Sequence, residues 1–245
     1  MKILSVSLLV FGSVGICATL AEFGLLGWSE SGEYLAWEQY GFSDGSGLPR
    51  AELTLVRASD GVPVFMADTF PVESADPEPV YPSGDGTLRS ILRSEAQPLL
   101  DSLGIVPGSS GLHPIHHSLC DLSVDPVKVS FYGWVVSVDY HGPEYLLTLG
   151  MSESGEPQVP DWFPSPVLLQ LDLEHVGGDR TLLTADSVLE AGYEHVFDYR
   201  IQDVYIFMDR FVAVVLNTTI PGFEGSDGGF RVVTGVLPGT MPGQR

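Results

Sequence analysis

Alternation of apolar and polar residues dominates the chain over 23–56 and again over 127–237, with glycine and proline turns between the alternating runs. A period of two places every second side chain on the same face of a β-strand. The predicted fold class is therefore mainly β, with antiparallel meanders in a propeller-like or two-sheet arrangement. The clearest predicted strands are Phe23 to Trp28, Tyr34 to Gln39, Ala51 to Arg57, Lys128 to Tyr140, Tyr145 to Gly150, Val167 to Glu174, Arg200 to Met208, Arg210 to Asn217 and Phe230 to Leu237.

The longest of these runs, Lys128 to Tyr140, is apolar on both of its faces. Such a pattern is typical of a central strand that is covered on both sides, and this is the position we expect for it. The tryptophans are also expected to lie in the core at this chain length. They are Trp28, Trp37, Trp134 and Trp162.

One helix is predicted between the two β-rich parts, as an insert over about 86–104. The preceding stretch, Ala75 to Gly86, is rich in proline, glycine and acids and is typical of a linker or surface loop. Asp85 or Thr87 can cap the helix, Gly104 can end it, and Pro98 predicts a kink or a restart near Glu95. The residues expected on its apolar face are Leu88, Ile91, Leu92, Leu99 and Leu103.

The first residues have the layout of a secretory signal. Lys2 precedes an apolar run from Ile3 to Ile16, and small residues follow up to Ala21. The run is about 14 residues long, shorter than the roughly 20 that span a bilayer, so cleavage near Ala21 is favoured over an uncleaved anchor. We therefore predict a signal peptide over 1–21, a single β-rich domain over 22–238 and a flexible tail over 239–245.

Such a chain would be secreted or periplasmic and would have no membrane-spanning segment after signal removal. Cys17 would leave with the signal, so the mature chain would hold one thiol, Cys120, and no internal disulfide.

The charge balance limits the classes of partner. The chain has 32 acidic and 11 basic residues and a formal net charge of −21. Such a field repels phosphate backbones and anionic lipid surfaces, so nucleic acid is excluded as a predicted partner. It attracts cations such as calcium, although surface carboxylates also serve solubility.

A cluster of metal-ligand residue types lies in the stretch HPIHHSLCD. His113, His116, His117 and Cys120 carry imidazole and thiol groups at the short spacings found in zinc sites, and Asp121 follows them. The same residues would suit a metal-dependent or Cys/His hydrolase centred on His113 to Asp121. The alternative is that they are ordinary histidines of a surface loop.

Two similar acidic loops join strands near the two ends of the chain, Tyr40 to Pro49 and Pro221 to Asp227. They could offer oxygens to calcium, but turn geometry explains their Asp and Gly residues equally well. Arg200, close to Asp198 and Asp203, is expected either in a buried structural ion pair or in a cleft that holds a ligand. The candidate ligand-binding residues are Glu38, Tyr40, Asp44, Arg200, Glu224 and Asp227.

Two resemblances follow from particular stretches. WSESGEYLAW, with Trp28, Ser29, Gly32, Tyr34 and Trp37, is similar to a bacterial β-propeller blade repeat. GEYLAWEQYGFSDGSGLPRAELTLV, DYRIQDVYIF and PGFEGSDGGFRVV together resemble an uncharacterised bacterial family of predicted secreted proteins, a domain of unknown function. This second resemblance implies secretion and the architecture but no activity.

Two hypotheses of function remain open. The first is a non-enzymatic binding or envelope-associated protein, with a ligand near the two acidic loops. The second is the hydrolase centred on His113 to Asp121. No cofactor is predicted from the sequence, although calcium or zinc is possible, and the partner is unknown.

Overall fold

The computed structural model of the protein describes residues 21–42, 47–69, 85–118, 121, 123–137, 139–157, 161–222 and 225–239. The predicted signal peptide up to residue 20 and the predicted tail from residue 240 lie outside these ranges. The described elements are β1 (Glu22–Trp28), β2 (Tyr34–Phe42), β3 (Pro49–Arg57), β4 (Pro63–Thr69), α1 (Asp85–Ser102), β5 (Leu112–His116), β6 (Lys128–Tyr132), β7 (Val135–Ser137), β8 (Tyr140–His141), β9 (Glu144–Glu153), β10 (Val167–His175), β11 (Arg180–Ala185), β12 (Asp198–Phe207), β13 (Phe211–Pro221) and β14 (Ser226–Val236).

The strands pair antiparallel in three four-stranded sheets and one two-stranded ribbon. Sheet A has the order β1-β2-β3-β4, sheet B the order β14-β13-β12-β5, and sheet C the order β11-β10-β9-β6, while β7 pairs with β8. The prediction of a mainly β fold with antiparallel meanders and one helix is confirmed. The described strands close into neither a barrel nor a propeller.

Sheet B is the central layer, because its strand β13 buries both of its faces. Along β13, Val212, Val214 and Leu216 join an apolar cluster with sheet C, whereas Phe211 and Val215 join a second cluster with sheet A. A strand that is buried on both faces reads as a continuous apolar run, and β13 does so from Phe211 to Leu216. The three sheets are therefore stacked, with sheet B between the other two.

Helix α1 covers the outer face of sheet A. Leu88, Leu92 and Leu100 pack there against Leu53 and Leu55 of β3. No helix among the described residues has the length and the apolar character that crossing a bilayer requires.

The ends of α1 agree with the prediction to within about two residues, and Gly104 follows it with a φ of 66°, in the left-handed region that suits glycine after a helix. The helix continues through Pro98 without a restart. Pro98 and Ser94 are both exposed, so water can reach the carbonyl group that proline leaves without a donor.

The predicted central strand Lys128 to Tyr140 is wrong. Its first part, β6, is an edge strand of sheet C, and the chain leaves that sheet at Gly133. The rest forms the β7–β8 ribbon, where Val135 and Val136 are 59% and 73% exposed. In the run Lys128 to Tyr140, apolar residues on both faces therefore did not indicate a central strand of a sheet.

Candidate metal centre

An irregularity in β5 brings two histidines to the same place. Ile206 of β12 pairs with Leu112, and Val204 pairs with Ile115, so β5 has one residue more than β12 over this interval. Such a bulge re-aims side chains that regular alternation would send to opposite faces. Pro114 lies in the bulge, and β5 is an edge strand, the position in a sheet that tolerates a residue without an N–H group.

The two imidazoles converge on Asp203 of β12. His113 Nε2 lies 2.8 Å from Asp203 Oδ1, and His116 Nδ1 lies 2.6 Å from the same oxygen. The other carboxylate oxygen accepts a hydrogen bond from Gln202 Nε2 at 3.1 Å. The Asp203 side chain is only 4% exposed, whereas that of His116 is 65% exposed. A fixed, buried carboxylate thus faces two imidazoles that solvent can reach.

Tyr205 holds the ring of His113 from one side. The two rings stack with their centroids 4.2 Å apart. Burial, and then the negative charge of Asp203, raise the pKa of Tyr205 to about 12. Tyr205 therefore remains a neutral aromatic wall at physiological pH.

The three side chains lie in an open depression of about 470 Å³ between sheets A and B. Glu22 and Phe23 of β1 line it from sheet A, and Phe230 of β14 lines it from sheet B. The depression gives a small ligand access to the imidazoles without a movement of either sheet.

The other residues of the predicted metal set do not join this group. His117 Nδ1 is 3.1 Å from the backbone oxygen of Ile201, so it donates to that carbonyl group. Asp121 accepts hydrogen bonds from the hydroxyl and the backbone N–H of Ser123, which lower its pKa. Cys120 lies outside the described residues. Of the predicted four, the structure brings together His113 and His116 and adds Asp203.

Asp203 was predicted as a neighbour of Arg200 but not as a ligand. A signal for its role was present in the sequence, since Asp203 shares a strand face with Tyr205 and Phe207. A carboxylate on an aromatic, buried face needs a partner.

Two predicted ligand-binding residues, Glu38 and Tyr40, contact arginines of α1. The Glu38 carboxylate, 2% exposed, accepts hydrogen bonds from Arg89 Nε at 3.0 Å and from Arg93 Nε at 2.9 Å. The Arg89 guanidinium also lies over the ring of Tyr40, at 3.5 Å from its centroid. Glu38 and Tyr40 therefore help to fasten the helix to sheet A.

The remaining candidates lie at or near the acidic loops. Asp44 and Glu224 fall outside the described residues, and Asp227 pairs with Ile220 at the start of β14. Arg200 is not the buried arginine that was expected, because its side chain is 44% exposed and lies 3.4 Å from Asp198. Regular alternation along β12 was not enough to predict the burial of Arg200, because the register of β12 shifts beside it, between Ile201 and Asp203.

The strands that carry the two acidic loops meet at one end of the stack. The backbone N–H of Phe230, near the start of β14, donates to Gln39 Oε1 near the end of β2 at 3.0 Å. Ala21 N donates to Gly228 O at 3.0 Å in the same region. The described flanks of both loops are therefore neighbours, and the depression beside Phe230 lies close to them.

Comparisons with known proteins identify the family. A family model described as predicted secreted protein (DUF2259) matches residues 36–235, a range that contains His113, His116 and Asp203. Comparison with curated proteins and with solved structures gives no match. The predicted resemblance to a family of predicted secreted proteins is confirmed, whereas the likeness to a propeller blade is not. The chain therefore belongs to the DUF2259 family of predicted secreted proteins.

Proposed function

We propose that this protein is a secreted metal-binding protein and that His113, His116 and Asp203 bind a divalent ion of the zinc type. The observation that carries the proposal is the convergence of two imidazole nitrogens on one buried carboxylate oxygen. The three ligand atoms all lie within 4.8 Å of one another. The candidate ligands predicted from the sequence are thus reduced to His113 and His116, and Asp203 is added to them.

The ligand types favour zinc over calcium or magnesium. Imidazole nitrogen is a borderline donor that suits zinc and other late transition metals, whereas calcium and magnesium prefer oxygen ligands throughout. Asp203 supplies the negative charge, and Gln202 fixes the orientation of its carboxylate through the hydrogen bond to Oδ2. Such outer contacts commonly support metal ligands.

A small movement of the histidines would be enough to admit the ion. Metal–ligand distances of about 2.1 Å and a tetrahedral angle place two zinc ligands about 3.4 Å apart. The present distances of 2.8 Å and 2.6 Å from Asp203 Oδ1 are shorter, as expected for direct hydrogen bonds. His116 is largely exposed and lies on an edge strand, so its ring can move outward while Asp203 stays in place.

Three protein ligands leave one tetrahedral position for a water molecule or for a group of another ligand. Structural zinc sites are usually closed by four protein ligands, whereas three ligands are typical of sites that exchange one partner. This open position would face the depression beside Glu22 and Phe23. We therefore assign the protein a metal site that can receive a further small ligand.

The proposal is tested by calorimetric titration of the metal-free protein with zinc chloride. Wild type should bind one equivalent of zinc, and His113→Ala and His116→Ala should each lower the affinity by about 100-fold or more, since loss of an outer contact alone commonly costs 10- to 100-fold. His117→Ala and Cys120→Ser are the matched controls and should bind zinc like wild type. The circular dichroism of every variant checks that the fold is retained.

Two results would overturn the assignment. Absence of zinc binding by wild type would mean that the three side chains form only a hydrogen-bonded His–Asp–His cluster. If His117→Ala or Cys120→Ser lost zinc binding while His116→Ala retained it, the zinc ligands would lie in the loop that follows β5.

A further inference from the structure

The outer edge of β1 is covered by the chain at one end only. At its C-terminal end, the backbone N–H of Trp28 donates to Ser109 O at 3.0 Å, and the N–H of Val106 donates to Trp28 O at 2.9 Å. The segment 106–109 therefore pairs with this end of β1 in the way that an added strand would.

The first half of the same edge has unpaired backbone groups. Tyr34 O of β2 accepts from Ser29 N–H, which follows β1, so every second residue of β2, counted from Tyr34, faces β1. Phe23 and Leu25 lie opposite residues of β2 that face the other way. The N–H and C=O groups of Phe23 and Leu25 therefore point away from β2, and they have no backbone partner among the described residues.

This unpaired part of β1 borders the metal centre. Phe23 lines the same depression as His113, His116 and Asp203. Tyr205, which stacks on His113, belongs to an apolar cluster shared with sheet A, so this face of sheet B is directed at sheet A. Sheet A ends at β1, however, and the His116 side chain is 65% exposed. The metal centre thus lies where one more strand of sheet A would cover it.

A strand added beside β1 would direct every second side chain at the metal centre. Successive side chains of a strand point to opposite faces, and stacked sheets lie about 10 Å apart. A side chain that points toward sheet B can therefore reach the open metal position. Imidazole suits a zinc-type ion, and a neutral imidazole is not repelled by a chain with a net charge of −21, whereas a carboxylate is.

We propose that β1 binds an extended peptide as a fifth strand of sheet A and that a histidine of the peptide fills the open metal position. Backbone hydrogen bonds to Phe23 and Leu25 would hold the peptide, which is a general mode of peptide binding at exposed sheet edges. The net charge of −21 favours a peptide with basic residues. The inference rests on the proposed metal site and names the partner of that site.

Calorimetry on the zinc-loaded protein tests the inference with three peptides that are blocked at both ends. The first, acetyl-Lys-Val-His-Val-Lys-amide, has a free backbone, a histidine and basic residues. The second has phenylalanine in place of histidine, and the third keeps the side chains of the first but carries a methyl group on every backbone nitrogen. The first should bind, and the other two should bind at least about tenfold more weakly, because each lacks one of the two kinds of contact.

Two variants at one position test the backbone contact from the side of the protein. Leu25→Pro removes an N–H group that points away from β2, in an edge strand that tolerates proline, and it should weaken binding of the histidine peptide by about tenfold or more. Leu25→Ala also removes the leucine side chain but keeps the N–H group. It is the matched control and should bind the peptide like wild type. Circular dichroism checks that both variants keep the fold.

Hydrogen exchange locates the peptide on the sheet. The amides of Phe23 and Leu25 should exchange at least about tenfold more slowly in the complex, because they become hydrogen-bonded. The amides of β4, at the opposite edge of sheet A, should keep their exchange rates. Protection of β4 or β14 in place of β1 would contradict the inference.

The remaining outcomes separate this inference from the metal site itself. Equal binding of the histidine and phenylalanine peptides would show that the metal plays no part, and equal binding of the methylated peptide would exclude strand pairing. Slow exchange of Phe23 and Leu25 without peptide would mean that the edge is already covered, by a second copy if the rate depends on protein concentration and by the chain itself if it does not. Zinc binding without peptide binding would overturn this inference alone, whereas absence of zinc binding would overturn the proposed function and this inference with it.

Discussion

At the scale of single residues, the buried charged side chains among the described residues are paired. Their partners are not the residues next to them in the sequence. Glu38 pairs with Arg89 and Arg93 of α1, and Asp203 contacts two histidines of β5. The buried arginine is Arg231, whose side chain is 7% exposed and whose partner Asp186 is 9% exposed. The partners in each of these pairs lie far apart in sequence. The residues next to Arg200 therefore gave no indication that the buried arginine is Arg231.

Arg231→Met should lower the free energy of unfolding by about 3–5 kcal/mol, because it leaves the Asp186 carboxylate buried without a counter-charge. Arg200→Met is the matched control, since its ion pair with Asp198 is largely exposed, and it should cost at most about 1 kcal/mol. Urea denaturation of both variants measures the difference. Equal costs would show that solvent reaches Asp186 and satisfies it.

At the scale of elements, helix α1 shows which residues of an apolar helical pattern become buried. The prediction placed α1 correctly, but it assigned Ile91 to the buried face, where the structure has Ala96 and Leu100. Ile91 is 43% exposed, and Leu92, the next residue, is 2% exposed. The predicted face included only large apolar residues and therefore left out Ala96. The small side chain of Ala96 lies where α1 comes close to sheet A.

Leu92→Ala should therefore destabilise the protein by about 2–5 kcal/mol, the usual cost of removing a buried leucine side chain. Ile91→Ala removes a side chain of the same size from an exposed position of the same helix and should change the stability by about 0.5 kcal/mol or less. Thermal and urea unfolding of the two variants provide the comparison. A loss for Ile91→Ala as large as that for Leu92→Ala would mean that Ile91 is buried, as the predicted face has it.

Most strands were predictable because their alternation reflects burial on one face, as in β9. The strands that were missed, β4, β5 and β11, are all edge strands, where one side of the backbone is unpaired and side chains face solvent more often. The metal centre depends on one of them. Its histidines were visible in the sequence, but the bulge at His113 and Pro114 and the pairing of His116 with Asp203 are products of the tertiary fold.

At the scale of the whole molecule, three stacked sheets carry a strongly acidic surface. The chain has 32 acidic and 11 basic residues, and several of the basic ones are committed to the pairs described above. The excess of negative charge repels itself most strongly in the compact state. The same field would raise the local concentration of the divalent cation that the proposed metal site requires.

Raising sodium chloride from about 10 mM to about 150 mM shortens the Debye length from about 30 Å to about 8 Å, so it should screen this repulsion and raise the melting temperature. A gain of about 1 kcal/mol would correspond to about 2–4 °C for a chain of this size. Differential scanning calorimetry measures the shift, and potassium chloride at equal concentration should reproduce it because screening does not depend on the identity of a monovalent cation.

Calcium chloride at micromolar concentration separates screening from specific binding, because it hardly changes the ionic strength. If turn geometry explains the acidic residues of the loops Tyr40 to Pro49 and Pro221 to Asp227, micromolar calcium should leave the melting temperature unchanged. A rise at that concentration would instead show specific calcium binding, for which the two loops are candidates because their flanking strands meet at Gln39 and Phe230. A fall in the melting temperature with sodium chloride would contradict the repulsion itself and would mean that attractive ion pairs outweigh it at low salt.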